Sequence, residues 1–111
     1  MSGLLDLEAL DMLIEAIGED AARGVLSLFL EECRDLTAVI AAPGADYRAI
    51  GRAAHSLKSS AGQLGAAALS EAALAVETAA SDNAAALPAL IAALGECATA
   101  TRAVFAARVA E

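Results

Sequence analysis

The chain has 111 residues and a formal net charge of -8. That length suits one domain around one modest core, and the acidic balance argues against a general affinity for nucleic acid or anionic membrane. Hydrophobic residues make up 59% of the chain but aromatic residues only 3%, and much of the apolar content is alanine, a strong helix former of small volume. Closely packed helices are therefore expected. No stretch alternates with a period of two and no Val/Ile/Thr/Tyr-rich strand appears, so the fold class is all-α.

The first helix is predicted from about Leu4 to Ile17, on a stripe of Leu7, Leu10, Ile14 and Ile17, with Gly18 as its stop. The second runs from about Asp20 to Ala41 on Leu26, Phe29, Leu30, Cys33, Leu36, Thr37 and Ile40, and Pro43-Gly44 breaks it. Asp46 is the N-cap expected for a third helix, Tyr47 to Leu64, which buries Ile50, Ala54, Leu57, Ala61 and Leu64 and ends at Gly65. A fourth helix, from about Ala66 to Ala80, uses Leu69, Ala73, Val76 and Ala80, and Ser81-Asp82-Asn83 forms a turn. The fifth opens near Leu87-Pro88, where proline is tolerated, and reaches the C-terminus on Leu87, Leu90, Ile91, Leu94, Ala98, Thr101, Phe105 and Val109.

Short connections make successive helices antiparallel neighbours. The simplest arrangement is an up-down-up-down four-helix bundle from the last four segments, with the short first helix capping one end. No linker, repeat or second domain interrupts residues 1–111. Asp6, Glu8 and Asp11 spoil the basic-then-apolar order of a signal peptide, and no apolar run spans a bilayer without a charge or a break. A cytoplasmic location is expected, with Cys33 and Cys97 reduced and packed as small hydrophobes.

His55 is the sole histidine. On a helical wheel it lies roughly opposite the Ile50/Leu57/Leu64 stripe and projects from the core, with Gly51, Ser59 and Gly62 on its own side. Glycine inside a helix costs about 1 kcal/mol relative to alanine, and here it leaves the imidazole uncovered for a partner surface. Between Asp46 and Glu71 there is no acidic residue, while Arg48, Arg52 and Lys58 all fall in that stretch. The result is a local positive face suited to a phosphoryl group or an acidic partner. Lys58, three positions after His55, reaches the same point in space. A solvated surface histidine is the plain alternative, but the bare, basic setting speaks against it. A Ser/His/Asp hydrolase lacks an oxyanion hole and a third triad member, and no phosphate-binding glycine loop supports ATP binding.

His55-Ser56-Leu57-Lys58, followed by Gly62 and Gly65, resembles the signature of histidine phosphotransfer (HPt) domains, the phosphorelay modules of multistep two-component signalling. The resemblance covers nearly the whole chain, from Leu7, Leu10 and Gly18 through Phe29 to Leu69 and Glu77. It implies that His55 is phosphorylated, through Nε2, and that Lys58 meets the phosphoryl oxygens. It also implies that Gly62 keeps the docking surface open and that Glu77, where many relatives have glutamine, accepts a hydrogen bond from Nδ1. Gly51, Arg52 and Ser59 join Gly62 as binding positions, Ser59 standing where glycine is commonest in the family.

The implied activity is phosphoryl carriage between phospho-aspartate receiver domains, downstream of a hybrid histidine kinase, by a monomer without kinase activity. No intrinsic cofactor or metal is expected, and Mg2+ would belong to the receiver. The rival readings are a docking or inhibitory bundle that is never phosphorylated and a purely structural, oligomerising bundle.

Overall fold

A computed structural model describes residues 5–110, which form five α-helices. α1 spans Leu7–Ile17, α2 Glu19–Ala41, α3 Tyr47–Gln63, α4 Ala67–Ser81 and α5 Leu87–Ala110. The start expected at Leu4 lies outside the described residues. α1 follows Asp6, whose carboxylate accepts from the Ala9 N–H at 3.3 Å. Asp46 caps α3 in the same way, accepting from Ala49 N–H at 2.7 Å.

α3 and α4 close with the same C-terminal motif. After α3, Ala66 N–H donates to Ala61 O at 2.8 Å and Gly65 N–H to Gly62 O at 3.3 Å, with Gly65 at φ +77°. After α4, Ala84 N–H donates to Ala79 O at 2.9 Å and Asn83 N–H to Ala80 O at 3.4 Å, with Asn83 at φ +51°. These closures correct two boundaries. Leu64 is the C-cap rather than the last turn of α3, and Ser81 belongs to α4 rather than to the turn after it.

α2 packs on α3, α3 on α4, α4 on α5 and α5 back on α2, which closes the antiparallel four-helix ring. Its core holds Leu26, Phe29 and Cys33 from α2, Leu57 from α3, Leu69 and Val76 from α4, and Leu94 and Phe105 from α5. The two phenylalanines meet edge-to-face at 5.6 Å between centroids. Alanines fill the rest, so helices approach closely, above all α3 and α4, through Ala54, Ala61, Ala73 and Ala80.

α1 lies across the end of the bundle where the α3–α4 turn, the start of α2 and the end of α5 meet. Asp6 N–H donates to Gly65 O at 2.6 Å, and Arg108 of α5 pairs with Glu19 of α2 at 2.9 Å. The stripe expected for α1 is corrected here. Leu10 is buried, but Leu7 and Ile17 are 63% and 42% exposed, because a helix laid over a bundle end has a neighbour along only part of its length. By length and composition α5 is apolar enough to cross a bilayer. It carries Glu96 and Arg102, however, and turns Leu94, Ala98, Thr101 and Phe105 into the bundle.

Candidate functional site

α3 buries Ala54, Leu57 and Ala61 and so turns His55 outward, with 64% of its side chain exposed. α4 faces it with small buried residues, Ala73, Val76 and Ala80, which let Glu77 reach across. His55 Nδ1 lies 2.8 Å from Glu77 Oε2, and Lys58 Nζ donates to Glu77 Oε1, also at 2.8 Å. One carboxylate thus joins the histidine and the lysine.

The hydrogen bond from Lys58 holds the Glu77 carboxyl below the usual carboxylate range; burial opposes it, and the hydrogen bond from His55 adds a further lowering. An ionised carboxylate only accepts, so Nδ1 carries the hydrogen. In the neutral ring, Nε2 then keeps a free lone pair on the side away from Glu77.

Ser70 was not anticipated. Its Oγ donates to the Lys58 carbonyl at 2.9 Å and ties α4 to the backbone of α3 beneath the lysine. It precedes Glu77 by seven positions, two turns along one helix face. Only the register between α3 and α4 could have revealed it.

The other site residues occupy different positions. Ser59 is exposed one turn beyond His55 and makes no side-chain hydrogen bond among the described residues. Gly62 is exposed, and a Cβ there would stand 3.4 Å from Ser70 Oγ, an ordinary contact. Gly51 faces open space, and a Cβ there would meet nothing within 4 Å. Gly51 and Arg52 are not joined to the Lys58–Glu77 pair; they line a groove on the other side of His55, together with Tyr47, Arg48 and Asn83. Among the described residues no cluster of His, Cys, Asp or Glu is arranged to hold a metal ion. Both cysteines are free, and burial pushes the Cys33 thiol up from 9.0 to about 11.

No curated protein matches the chain. Among solved structures, the fold is similar to the crystal structure of histidine-containing phosphotransfer protein B (HptB) from Pseudomonas aeruginosa PAO1. The TM-score is 0.90 at 24% identity, over 98% of this chain and 96% of that one, a likeness that speaks for the fold. The family evidence lies in the sequence itself. The Hpt domain pattern matches residues 24–104, from the first turns of α2 to the last turns of α5. That span takes in the whole ring and His55, and on it the chain belongs to the Hpt domain family.

Proposed function

We propose that His55 is the residue on which this Hpt domain carries its phosphoryl group. As a member of the family the chain is a phosphorelay intermediate, a carrier without kinase activity or a cofactor of its own, and its partners are of the receiver and kinase class. The observation that supports His55 is the 2.8 Å contact between Nδ1 and Glu77 on a ring whose other edge faces solvent.

The step follows from that geometry. A receiver bearing phospho-aspartate docks over α3. The Nε2 lone pair attacks phosphorus in line with the departing carboxylate oxygen, the N–P bond forms, and the P–O bond breaks with its electron pair going to the aspartate. The ring gains positive charge as the bond forms. Glu77, already bonded to Nδ1–H, stabilises that charge and keeps the proton on the nitrogen that does not react. Lys58 turns toward the phosphoryl oxygens, which carry about -1.5 to -2 charges. The reverse sequence hands the group to a second receiver. Gly62 and Ser59 leave room for that surface. The working form is a cytoplasmic monomer that receives phosphate from a hybrid kinase.

The test is to incubate the protein with a panel of phosphorylated receiver domains and look for acid-labile, base-stable phosphate. Wild type is expected to be labelled. His55→Gln is expected to stay unlabelled with unchanged helical circular dichroism, since no other histidine exists. A labelled, folded variant refutes the assignment.

A further inference from the structure

A groove of about 830 Å3 runs along α3 and α4 from His55 and Glu77 to Tyr47 and Asn83. Arg52 and Arg48 line it, three and seven positions before His55. They therefore rise from the histidine's own face of α3, about 4.5 and 10 Å along the axis from it. Both are exposed, and among the described residues neither has an ion pair or a side-chain hydrogen bond. Lys58 differs on both counts, because Glu77 holds it and it lies outside the groove. Two acids beside the groove are already engaged. Asp46 caps the N-terminus of α3, and Glu77 is shared by His55 and Lys58.

We propose that this groove is a docking cleft for carboxylates on the surface of the receiver domain, gripped by Arg48 and Arg52 while the receiver's phosphoryl group sits at His55. The inference rests on His55 being the phosphorylated residue. Its basis is charge complementarity. In a chain of net charge -8, two guanidinium groups without a protein partner in one groove make a local positive site that attracts an anionic surface. A guanidinium fork matches a carboxylate with two parallel hydrogen bonds. The net negative charge repels extended polyanions, so an acidic patch on a protein surface fits better than nucleic acid. The groove is continuous with His55, so one docked surface reaches both. Tyr47, 49% exposed at the far end, supplies an aromatic ring of the kind that anchors protein interfaces. The receiver's footprint would therefore extend toward the N-terminus of α3 and over α4, with an acidic edge lying there.

The test uses the receiver that labels wild type fastest, and compares Arg48→Glu/Arg52→Glu and Arg48→Lys/Arg52→Lys with wild type. Phosphoramidate serves as a small donor in parallel. At low ionic strength the charge-reversed protein is expected to lose about tenfold or more in the second-order rate constant for transfer from the receiver, and the loss is expected to shrink as salt is raised. The lysine pair is expected to retain most of the rate. Phosphoramidate labelling of His55 is expected to hold in the lysine pair and, in the charge-reversed protein, to fall much less than transfer from the receiver. Unchanged receiver kinetics with normal phosphoramidate labelling overturn the docking cleft and leave His55 in place. Equal loss with both donors also overturns it and makes the arginines part of the phosphoryl site. Failure of every donor to label wild type removes the His55 assignment itself. Circular dichroism establishes that each variant is folded.

Discussion

His55 and Glu77 stand 22 positions apart on different helices, and Nδ1 of one meets Oε2 of the other at 2.8 Å. The other carboxylate oxygen holds Lys58 at the same distance. Glu77 therefore orients the imidazole and holds the lysine through a single group.

Substitutions at Glu77 separate these two tasks. Glu77→Gln keeps an acceptor for Nδ1–H but loses the charge, whereas Glu77→Ala loses both. A hydrogen bond to a charged group is worth about 1.5–3 kcal/mol, and the exposure of this site places its effect at the low end. Glu77→Ala is expected to slow transfer about tenfold, and Glu77→Gln less. Single-turnover kinetics measure both. Nitrogen NMR of His55 is expected to show Nδ1–H in wild type and a mixture of tautomers in Glu77→Ala. Equal rates in all three proteins would leave Glu77 a surface residue.

The Glu77 carboxylate is expected to titrate below 4.5, its ordinary value, with Lys58 as the main cause. A depressed pKa adds stability that is fully present above pH 4.5 and lost as the pH falls through the lower native value. In Lys58→Ala the midpoint is expected to move back up, and the phosphohistidine lifetime to shorten. A carbon-detected titration of the side chain and a decay assay read these two effects. An unmoved midpoint would mean that the Lys58–Glu77 pair does not persist in solution.

Two glycines of α3 and its turn are expected to respond in opposite directions to alanine. At Gly65 the backbone has φ +77°, and a Cβ would stand 2.5 Å from the Asp6 carbonyl oxygen. Gly65→Ala is expected to cost about 2 kcal/mol or more and to lower Tm by roughly 10 °C. Gly51 lies inside α3 facing open space, so Gly51→Ala is expected to add about 0.5–1 kcal/mol. Urea unfolding of both variants checks the signs.

Gly62→Gln addresses access. The new Cβ meets Ser70 Oγ at 3.4 Å, which the helix tolerates, and the long side chain then stands beside the docking face. Transfer from a receiver is expected to fall, while labelling by phosphoramidate holds and stability is kept or slightly raised. Equal loss with both donors would indicate a damaged site. Undiminished receiver transfer would mean that the partner does not pass over Gly62.

Cys33 is fully buried, and its thiol is raised to about 11. It is expected to resist iodoacetamide at neutral pH in the native protein and to react once urea unfolds the chain. A raised pKa also predicts stability that is complete below pH 9.0 and falls as the pH climbs toward about 11. Mass spectrometry of alkylated protein tests the first point and unfolding at alkaline pH the second. Rapid native labelling would place the thiol outside the core.

The bundle was readable because its signals are local. Asp46 caps α3 as expected, Pro43-Gly44 follows α2, and the periodic Leu57, Leu69, Leu94 and Phe105 all reach the core. His55 and Lys58 share a helix, so their proximity followed from spacing alone, and the placement of Glu77 came from the family resemblance. The lysine–glutamate pair, the Ser70 tie and the groove depend on how α3 is registered against α4, which the turn at Leu64–Ala66 sets and no periodicity encodes. The same distinction explains α1. Its stripe is genuine in sequence, but the described residues cover Leu7 and Ile17 only in part.

The turn at Gly65 also bears on the order in which the molecule is built. His55, Lys58, Ser70 and Glu77 all belong to one helical hairpin, and α3 pairs with α4 across only three connecting residues, Leu64, Gly65 and Ala66. The α2–α5 seam that closes the ring must instead bring Phe29 to Phe105 across most of the chain. Loop closure makes nearby pairings fast and distant ones slow. His55 and Glu77 therefore meet in a local pairing that can form ahead of the α2–α5 seam. During synthesis His55 and Glu77 can meet before the last turns of α5 have left the ribosome.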